Sequence, residues 1–492
     1  MNALKIKSLI IHSDKEVIRK LTHELLDLFH ISVGDGESRW EIFSETEESS
    51  AVFVRTTLVI DDERFFKEET GFSNEKPSGA VHRLYKKHLY EILRERYGFP
   101  PALWGILHGV RPTKIVQRYF KDGLTEGEVF NRLTNGYYVS EEKANLLLEV
   151  ARNEEKFCQD CDSKKVAVYI GIPFCLSKCF YCSFPSHILP GEKKLSEFME
   201  VFKRDLSTAK DLIKKYNLKV ESVYIGGGTP TALPDSLFAE TMNLASVYFA
   251  GEDLKEFTVE AGRPDSMSEN KYNVIFDSPV TRVSVNPQTM NERTLEVIGR
   301  KHTAKSITEM YNAFRKKENL EINMDLILGL PTETADDAEN TIRQIIALNP
   351  DNITLHALAR KKGSLLKTAM NENVHIELPT DDEAQKMAKI SHKLIRDAGY
   401  KPYYLYRQGY MSGGLENIGF SKEGKESVYN VKIIEENQTI IGIGGAATTK
   451  IVDEAEKRIK ATFHPKDLIT YLRDIDLYIE KRDNLLKEVF KC

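Results

Sequence analysis

Three cysteines in one short loop are the residues of this sequence best suited to carry out chemistry. Cys175, Cys179 and Cys182 follow one another at CX3CX2C spacing, directly after an apolar run at residues 166–172 and the breaker Pro173. Soft thiolate ligands favour iron–sulfur clusters and zinc. A [4Fe–4S] cluster held by three cysteines keeps one iron open for a substrate or cofactor, as an open position does at a catalytic zinc site. The alternative is a zinc knuckle with a fourth ligand elsewhere, although zinc motifs usually use CX2C pairs.

A glycine-rich stretch comes one apolar run later. Residues 226–230 read GGGTP and follow a run at residues 220–225. Glycines let the backbone approach a ligand closely and expose its N–H and C=O groups. A tight turn between a strand and a helix would use the same residues. The motif by itself therefore leaves a ligand loop and a simple turn open.

Polar residues stand at or after the ends of later strand-like runs. They are Glu260, Gln288, Arg300 and Asp325. Acid and amide groups can accept hydrogen bonds from ribose hydroxyls, and an arginine can pair with a carboxylate. Any one of them could equally be a polar surface residue or part of an internal salt bridge, but their joint placement favours one site.

Six apolar, strand-like runs recur between helical stretches from residue 166 onwards. They lie at residues 166–172, 220–225, 257–261, 283–285, 322–328 and 353–358. Strands that alternate with helices indicate β/α units and a parallel sheet, and six units suit a partial (β/α)6 barrel, a relative of the eight-fold TIM barrel. In barrels of this kind chemistry gathers at the C-terminal strand ends. We therefore predict an α/β protein whose barrel carries the site.

The chain of 492 residues is too long for one ordinary domain. Strand-like runs at residues 3–12, 39–46 and 51–60 with a helical stretch at 15–29 predict a small α/β domain, and the polar residues 65–79 predict a boundary. The predicted division is a small α/β domain at 1–70, a helical region at 80–157, the barrel at 160–375 and a C-terminal α+β part at 376–492.

The composition excludes several classes of protein. A net charge of -5 with 41% hydrophobic and 29% charged residues indicates a soluble globular protein without the basic footprint of a nucleic-acid binder. No apolar run approaches the roughly 18 residues of a membrane span, and the first residues lack a signal-peptide core. Six cysteines in so long a chain do not form a disulfide framework. We predict a cytoplasmic protein that binds neither nucleic acid nor a membrane.

Two other groups of residues are ambiguous. Cys158 and Cys161 form a CX2C pair that could bind a metal or act as redox thiols, but without a second pair the favoured interpretation is incidental, reduced cysteines. A cationic cluster in the helical region could bind an anion, although a solvated helix face is favoured. Its members are His82, Arg83, Lys86, Lys87 and Arg111.

Five motifs together resemble the radical S-adenosylmethionine (SAM) family of oxygen-independent coproporphyrinogen III oxidases. The motifs are YIGIPFC at 169–175, GGGTPT at 226–231, RVSVNPQ at 282–288, IGRKHT at 298–303 and DLILGLP at 325–331. The CX3CX2C spacing is itself typical of radical SAM enzymes. The resemblance spans roughly residues 160–450 and is to the HemZ-like branch, whose members carry an added N-terminal region like residues 1–160.

The resemblance implies roles for individual residues. The three cysteines would ligate a [4Fe–4S] cluster, and Tyr169 would contact the SAM carboxylate. Glu260 would lie between the SAM site and the substrate or a second SAM, which makes Tyr169 and Glu260 the catalytic candidates. The implied SAM-binding set is Tyr169, Gly227, Gly228, Thr229, Glu260, Gln288, Arg300 and Asp325.

The resemblance also implies a reaction in haem biosynthesis. SAM would be cleaved to methionine and a 5′-deoxyadenosyl radical, which would take a hydrogen atom from the substrate. Two propionates of coproporphyrinogen III would become vinyl groups with loss of carbon dioxide, giving protoporphyrinogen IX. Besides this tetrapyrrole, the expected partners are a low-potential electron donor and an electron acceptor, neither of which the sequence names.

Two positions depart from the best-known oxidase branch. Phe184 stands where that branch has a further cysteine, and Gly171 stands where it has histidine. A phenylalanine at the first position is shared with relatives that bind or traffic haem. The alternative function is therefore haem binding or delivery, through a ligand such as His187 or His356, although a structural histidine is favoured in each case. Another radical reaction on a tetrapyrrole is a third possibility.

The C-terminal part contains a predicted helix at 380–398, an aromatic and basic strip at 403–408, and a charged helical tail at 465–490. In the family such segments cover the barrel mouth and help to bind the tetrapyrrole. Aromatic rings can stack on a flat ligand, and Arg407 can pair with a propionate. An ordinary sheet core is the alternative for the strip.

Overall fold

The computed structural model describes residues 4–72, 75–159, 162–184, 186–409, 411–453 and 458–490. The chain divides into two compact units, Met1–Glu149 and Val150–Cys492. The finer four-part division stays a prediction. Cys161, half of the predicted CX2C pair, lies outside the described residues.

The first unit is built on a four-stranded sheet in the order β2–β4–β5–β6. Strand β2 is parallel to β4, and the two other pairings are antiparallel. The strands are β1 (Lys5–Ile6), β2 (Ser8–His12), β3 (Ser32–Val33), β4 (Arg39–Glu48), β5 (Val52–Ile60) and β6 (Glu63–Thr70). The helices are α1 (Val17–Leu28), α2 (Pro77–Tyr97), α3 (Thr113–Lys121), α4 (Glu126–Asn131) and α5 (Glu141–Cys158), and the boundary between the units falls within α5.

The strands and helices predicted for this unit are confirmed, and residues 65–70 of the predicted boundary segment form part of strand β6. Buried and more exposed residues alternate along β5, the pattern of a strand with one face in the core, and α2 packs against it. Strand β6 continues the sheet by pairing with β5 along its whole length. It is an edge strand with many charged residues, which natural sheets use to discourage further pairing, and this polarity resembles a linker.

Three members of the cationic cluster predicted in the helical region are paired with carboxylates and are largely buried, unlike a solvated helix face. Arg83 is buried and pairs with Glu75, with 2.7 Å between Nη2 and Oε2. Lys87 lies 2.5 Å from a carboxylate oxygen of Glu69, and Lys86 also has an acidic neighbour in this unit. These carboxylates lie outside helix α2, so the pairing could not be seen in the helix pattern.

Within its described residues, the second unit contains one sheet of 11 strands and a separate two-stranded pair, β8–β9. The strands are β7 (Lys165–Ile172), β8 (Phe174–Cys175), β9 (His187–Ile188), β10 (Lys219–Gly227), β11 (Glu256–Gly262), β12 (Arg282–Gln288), β13 (Glu321–Leu328), β14 (Asn352–Ala357), β15 (Lys401–Tyr406), β16 (Asn417–Ser421), β17 (Thr439–Gly444), β18 (Thr448–Asp453) and β19 (Arg458–Phe463). The helices are α6 (Glu192–Lys215), α7 (Asp235–Phe249), α8 (Glu269–Phe276), α9 (Glu292–Val297), α10 (Ala304–Phe314), α11 (Ala335–Leu348), α12 (Leu365–Asn371), α13 (Asp381–Asp397), α14 (Val428–Glu435) and α15 (Leu468–Val489).

The six predicted β/α units are confirmed. Strands β7, β10, β11, β12, β13 and β14 lie side by side in that order, and every pair is parallel. The C-terminal part extends the same sheet at both ends, because β17 pairs parallel with β7 and β16 pairs antiparallel with β14. All six C-terminal strand ends therefore face one side, where barrels of this kind carry their chemistry. None of the helices in the described ranges has the length and apolar character needed to cross a membrane.

Candidate active site

The cysteine loop begins where β8 ends. Cys175 is the last residue of β8, Cys179 is buried with 9% of its surface exposed, and Cys182 is half-buried. The main chain of the loop is held in place, because the N–H of Phe180 donates to the carbonyl of Ile298 over 3.0 Å. The loop is thus anchored to the segment that leads from α9 to Arg300.

The three sulfurs share one environment. Burial raises the pKa of the Cys182 thiol, and the nearby Cys179 and Cys175 raise it further because adjacent thiolates repel. Thr229 donates from Oγ1 to the Sγ of Cys175 over 3.5 Å. In the part of the chain that the structure describes, no three His, Cys, Asp or Glu side chains are spaced to hold a metal ion. A four-iron cluster is a larger body than an ion, and a set of three thiols is the donor set that leaves one of its irons open.

The glycine loop packs directly against the strand that leads to the cysteines. The N–H of Gly228 donates to the carbonyl of Ile172 over 2.8 Å, and that of Thr229 donates to the carbonyl of Phe174 over 2.7 Å. Gly227 has a φ of +115°, which favours glycine. These contacts explain the glycines as a close backbone approach, and the same approach brings the loop against Cys175.

A methyl group at position 228 should therefore disrupt the cysteine loop. In Gly228→Ala the new Cβ would lie 2.5 Å from the carbonyl oxygen of Phe174 and 3.0 Å from the Sγ of Cys175. Because the closer neighbour is backbone, we expect a loss of about 1–3 kcal/mol in the free energy of unfolding and a fall in iron bound per chain. Urea denaturation and iron analysis measure both. Gly251→Ala is the matched control, since nothing lies within 4 Å of its added Cβ, and an equal effect there would contradict this explanation.

Glu260 sits at the end of β11 among tyrosines. The hydroxyl of Tyr224 donates to its Oε1 over 2.7 Å. The Tyr224 ring stacks between Tyr169 and Tyr429, with centroid distances of 6.1 and 4.6 Å. Burial raises the pKa of Glu260 to about 7, against the hydrogen bond from Tyr224, and the charge of Asp325 raises it as well. A carboxyl group that titrates near neutrality in such a place is suited to functional chemistry.

Removing the Tyr224 hydroxyl should raise the pKa of Glu260 further. In Tyr224→Phe the carboxylate loses a hydrogen bond that favours its charged form, so we expect an upward shift of about one unit. The pH dependence of SAM binding, followed by calorimetry, should move its midpoint to higher pH. Tyr429→Phe keeps the stacked ring but removes a hydroxyl that does not bond to Glu260, and it should leave the midpoint in place. Equal midpoints in all three proteins would refute the coupling.

Asp325 lies near the end of β13 with both oxygens occupied by this chain. Its Oδ2 accepts from Asn286 over 2.8 Å and from Ser284 over 3.2 Å, while Oδ1 accepts from Asn323 over 2.8 Å. Burial alone would raise its pKa, but His356, 3.8 Å away, and the hydrogen bond from Asn323 hold it below the usual value. Asp325 is therefore a fixed, ionised acceptor in the barrel.

Gln288 and Arg300 are buried with polar atoms left unsatisfied. The Oε1 of Gln288 has no hydrogen-bond partner among the described residues, and Gln288 has a φ of +69° at an irregular end of β12. Arg300 donates from Nη2 to the hydroxyl of Tyr181 over 2.8 Å, while its Nε and Nη1 have no partner in the described chain. Buried polar groups are normally paired, so these atoms indicate a bound ligand. A carboxylate for Arg300 and a hydroxyl or amine donor for Gln288 would satisfy them, and SAM offers these groups.

Arg263 and His302 belong to the same region and were missed in the sequence. Arg263 is buried, forms a two-pronged pair with Asp265, and donates from Nη1 to the carbonyl of Ser177 over 3.3 Å, with the Sγ of Cys179 4.0 Å away. Burial lowers the pKa of His302 to about 4, and both of its ring nitrogens lack partners among the described residues. Arg263 stands just after the end of β11, the same signal that indicated Glu260. No local signal indicated His302 beyond its motif.

The aromatic strip is partly sheet core and partly at the barrel's functional end. The hydroxyl of Tyr404 donates to Thr354 over 3.4 Å inside the sheet, whereas Tyr406 lies 3.5 Å from the Nδ1 of His356. Strand β15 is antiparallel to β16, which is antiparallel to β14, so β15 ends on the same side as the barrel strands. Burial lowers the pKa of Arg407, the next residue, to about 10.

The fold and the site together are those of a radical SAM protein. A family model described as the Radical SAM superfamily matches residues 169–345. The oxygen-independent coproporphyrinogen-III oxidase-like protein HemZ of Bacillus subtilis (strain 168) is 35% identical over 397 residues, which are 79% of this chain and 78% of that protein. The heme chaperone HemW of Haemophilus influenzae is 27% identical over 64% of this chain and 78% of its own. The solved structure of coproporphyrinogen III oxidase (HemN) from Escherichia coli matches with a TM-score of 0.53 at 18% identity, over 66% of this chain and 73% of that one, and supports the fold.

The chain belongs to the radical SAM family of oxygen-independent coproporphyrinogen III oxidases, in its HemZ-like branch. Members of the radical SAM family use a [4Fe–4S] cluster and SAM. The three thiols of the cysteine loop and the unsatisfied atoms of Arg300 and Gln288 fit these two groups.

Proposed function

We propose that this protein converts two propionate side chains of coproporphyrinogen III to vinyl groups, giving protoporphyrinogen IX. One observation carries the proposal: a cysteine loop and unsatisfied buried groups, Arg300 and Gln288, lie at the end of a barrel whose HemZ relative is 35% identical. That relative is described as oxidase-like, and its name supports the choice of substrate.

The chain's own residues would bind, orient and shield the reactants. Cys175, Cys179 and Cys182 would hold the cluster, and the remaining implied residues would hold SAM. When bound, these two groups supply abstraction of a hydrogen atom from a substrate carbon. The protein's part is positioning and exclusion of water.

Separate residues would serve the tetrapyrrole. Glu260, with a pKa of about 7, would stand between SAM and substrate and could hold either ionisation state near neutral pH. Tyr406 would lie along a flat ring, and Arg407 would pair with a propionate.

Tyr169 would complete the SAM side of the site, next to Tyr224 in the stacked row.

The proposed reaction also requires a low-potential electron donor and an electron acceptor. It requires a reducing compartment as well, and we propose that this compartment is the cytoplasm. The acceptor is needed because conversion of each propionate to a vinyl group and carbon dioxide is an oxidation.

Haem binding on the same scaffold is the second candidate function. It is favoured by Phe184 in place of a fourth loop cysteine and by the similarity to proteins named heme chaperone HemW. Of the two histidines considered, His356 already has neighbours at both ring nitrogens, Tyr406 and Asp325. His187 has its Nε2 3.2 Å from the carbonyl of Lys466, and is the better candidate ligand.

Anaerobic reconstitution distinguishes the two functions. The protein, loaded with iron and sulfide, is incubated with SAM, a reductant and coproporphyrinogen III, and mass spectrometry follows 5′-deoxyadenosine and vinyl products. Both products together support the oxidase. Deoxyadenosine without vinyl products rejects this substrate but keeps radical chemistry. An intact cluster with neither product, together with a stoichiometric haem complex that is lost in His187→Ala, supports the haem-binding function instead.

A further inference from the structure

Exposed apolar side chains surround the cysteine loop. Leu176 lies within the loop and is 39% exposed. Val297 and Leu365 are 42% and 43% exposed, and each directly precedes a residue bonded to the loop. Those residues are Ile298, whose carbonyl accepts from Phe180, and Leu366, whose N–H donates to the carbonyl of Phe180 over 2.9 Å. The three exposed side chains therefore project from three segments that meet at the loop.

The same segments carry a concentration of positive charge. Residues 176–184, 296–303 and 360–372 contain seven lysines and arginines but two carboxylates, Glu296 and Glu372, in a chain whose net charge is -5. Lys178 is exposed, and its Nζ donates to the carbonyl of Gly363 over 3.2 Å, which ties the loop to the most basic of the three segments.

Four lysines in these segments have no acidic partner among the described residues. No ion pair is formed in the described structure by Lys178, Lys301, Lys362 or Lys367. By contrast, Arg263 beneath the loop is paired with Asp265. The loop patch is the surface formed by Leu176, Lys178, Val297, Lys301, Lys362, Leu365 and Lys367.

We propose that the loop patch docks a small acidic one-electron carrier protein, which reduces the cluster. The proposal rests on ligation of the cluster by the three loop cysteines. One electron passes from the reduced carrier to the cluster; the carrier is oxidised by one electron, and no bond or proton is exchanged.

Charge complementarity and position determine the type of partner. A small apolar centre with a charged rim suits the small, transient interfaces of electron-transfer encounters. Rim charges act mainly on the association rate, and a basic rim accelerates an acidic partner. Cys175 and Cys182 are only partly buried and belong to the same loop as Leu176 and Lys178, so a docked carrier would bring its redox centre close to the cluster.

Reversing the charge of two lysines of the loop patch tests the proposal. The probe is a purified, reduced flavodoxin of net negative charge, and the cluster's absorption reports the rate of its reduction by stopped flow. In the double variant Lys362→Glu, Lys367→Glu we expect reduction by flavodoxin to slow about tenfold and binding to weaken in parallel at low salt. Reduction by dithionite, which needs no docking, should keep its wild-type rate. The wild-type rate with flavodoxin should fall with rising salt.

The control double variant is Lys219→Glu, Lys316→Glu. It makes the same change in net charge on exposed lysines at the N-terminal strand ends, one at the start of β10 and one shortly before β13. It should behave as wild type. The proposal fails if the rim variant keeps the wild-type rate with flavodoxin, if dithionite reduction slows equally, or if flavodoxin does not reduce the wild-type cluster. Neither readout uses a tetrapyrrole, so failure of the proposed reaction and failure of docking give different results.

Discussion

Replacing Cys179 by alanine is expected to abolish both cluster assembly and cleavage of SAM. Cys179 is the most buried of the three loop cysteines, and its sulfur lies beside Arg263. Without it the loop offers two thiolates, and a cluster held by two residues is open to solvent at a second iron. Iron and sulfide per chain, the visible absorption and the yield of 5′-deoxyadenosine measure the loss, which should be essentially complete.

Cys158→Ala is the matched control for this variant. Cys158 is half-buried and lies at the end of α5, outside the cysteine loop. The control should assemble a full cluster and form deoxyadenosine at the wild-type rate. A cluster retained in Cys179→Ala would overturn the ligand assignment. A cluster lost in Cys158→Ala would revive the metal-binding interpretation of the CX2C pair.

The parts of the fold that follow from local sequence could be predicted. The six barrel strands are buried on both faces, so each is a continuous apolar run that stands out from its flanking helices. The cysteine loop and the glycine loop carry their signal in residue type and spacing. Strand β6 could not be recognised in this way, because an edge strand has little apolar content and its pairing with β5 is a long-range property.

The candidate site, like the fold, has some features that local sequence predicts and others that depend on contacts between distant residues. Glu260, Gln288, Arg300 and Asp325 were predicted because strand ends in a barrel converge, whatever the side chains between them. Several partners that set their chemistry come from other strands: Tyr224 of β10 for Glu260, and Ser284 and Asn286 of β12 for Asp325. Such contacts depend on strand register, which the sequence does not contain in local form. The joining of β16 and β17 to opposite ends of the sheet is non-local for the same reason.

The C-terminal helix is fixed to the barrel by a fully buried polar cluster. Asp205 of α6 and Arg482 of α15 are both 0% exposed, with 2.8 Å between Oδ1 and Nη1. The other carboxylate oxygen accepts from the N–H of Gly444 over 2.8 Å and from the hydroxyl of Tyr471 over 3.0 Å. Loss of Arg482 should therefore be strongly destabilising, because a buried ion pair that loses one partner leaves an uncompensated charge.

In Arg482→Met the free energy of unfolding should fall by about 3–5 kcal/mol. Urea denaturation measures the change through the midpoint, provided that the slope of the transition is unchanged. Arg473→Met on the same helix is the matched control. The pair between Arg473 and Asp474 is 2.6 Å long, but Arg473 is 68% exposed, so its loss should change the free energy of unfolding little. Equal losses in the free energy of unfolding for the two variants would show that burial does not make the Arg482–Asp205 pair more stabilising than an exposed pair.

The pH dependence of stability should show two acid-sensitive members of this cluster, His464 and Asp205. Burial alone would raise the pKa of Asp205, but Arg482, His464 and its hydrogen bonds hold the folded value below the usual one. The stabilisation that Asp205 contributes is therefore complete above the unfolded pKa of about 3.9 and is lost as the pH falls through the folded value.

Burial also lowers the pKa of His464, and Arg482 lowers it further. A separate loss of stability therefore begins at higher pH, as the pH falls below about 6.5. In Asp205→Asn the loss below about pH 4 should be smaller than in wild type, because an amide takes up no proton there. Equal acid slopes in the two proteins would mean that other carboxylates control acid unfolding.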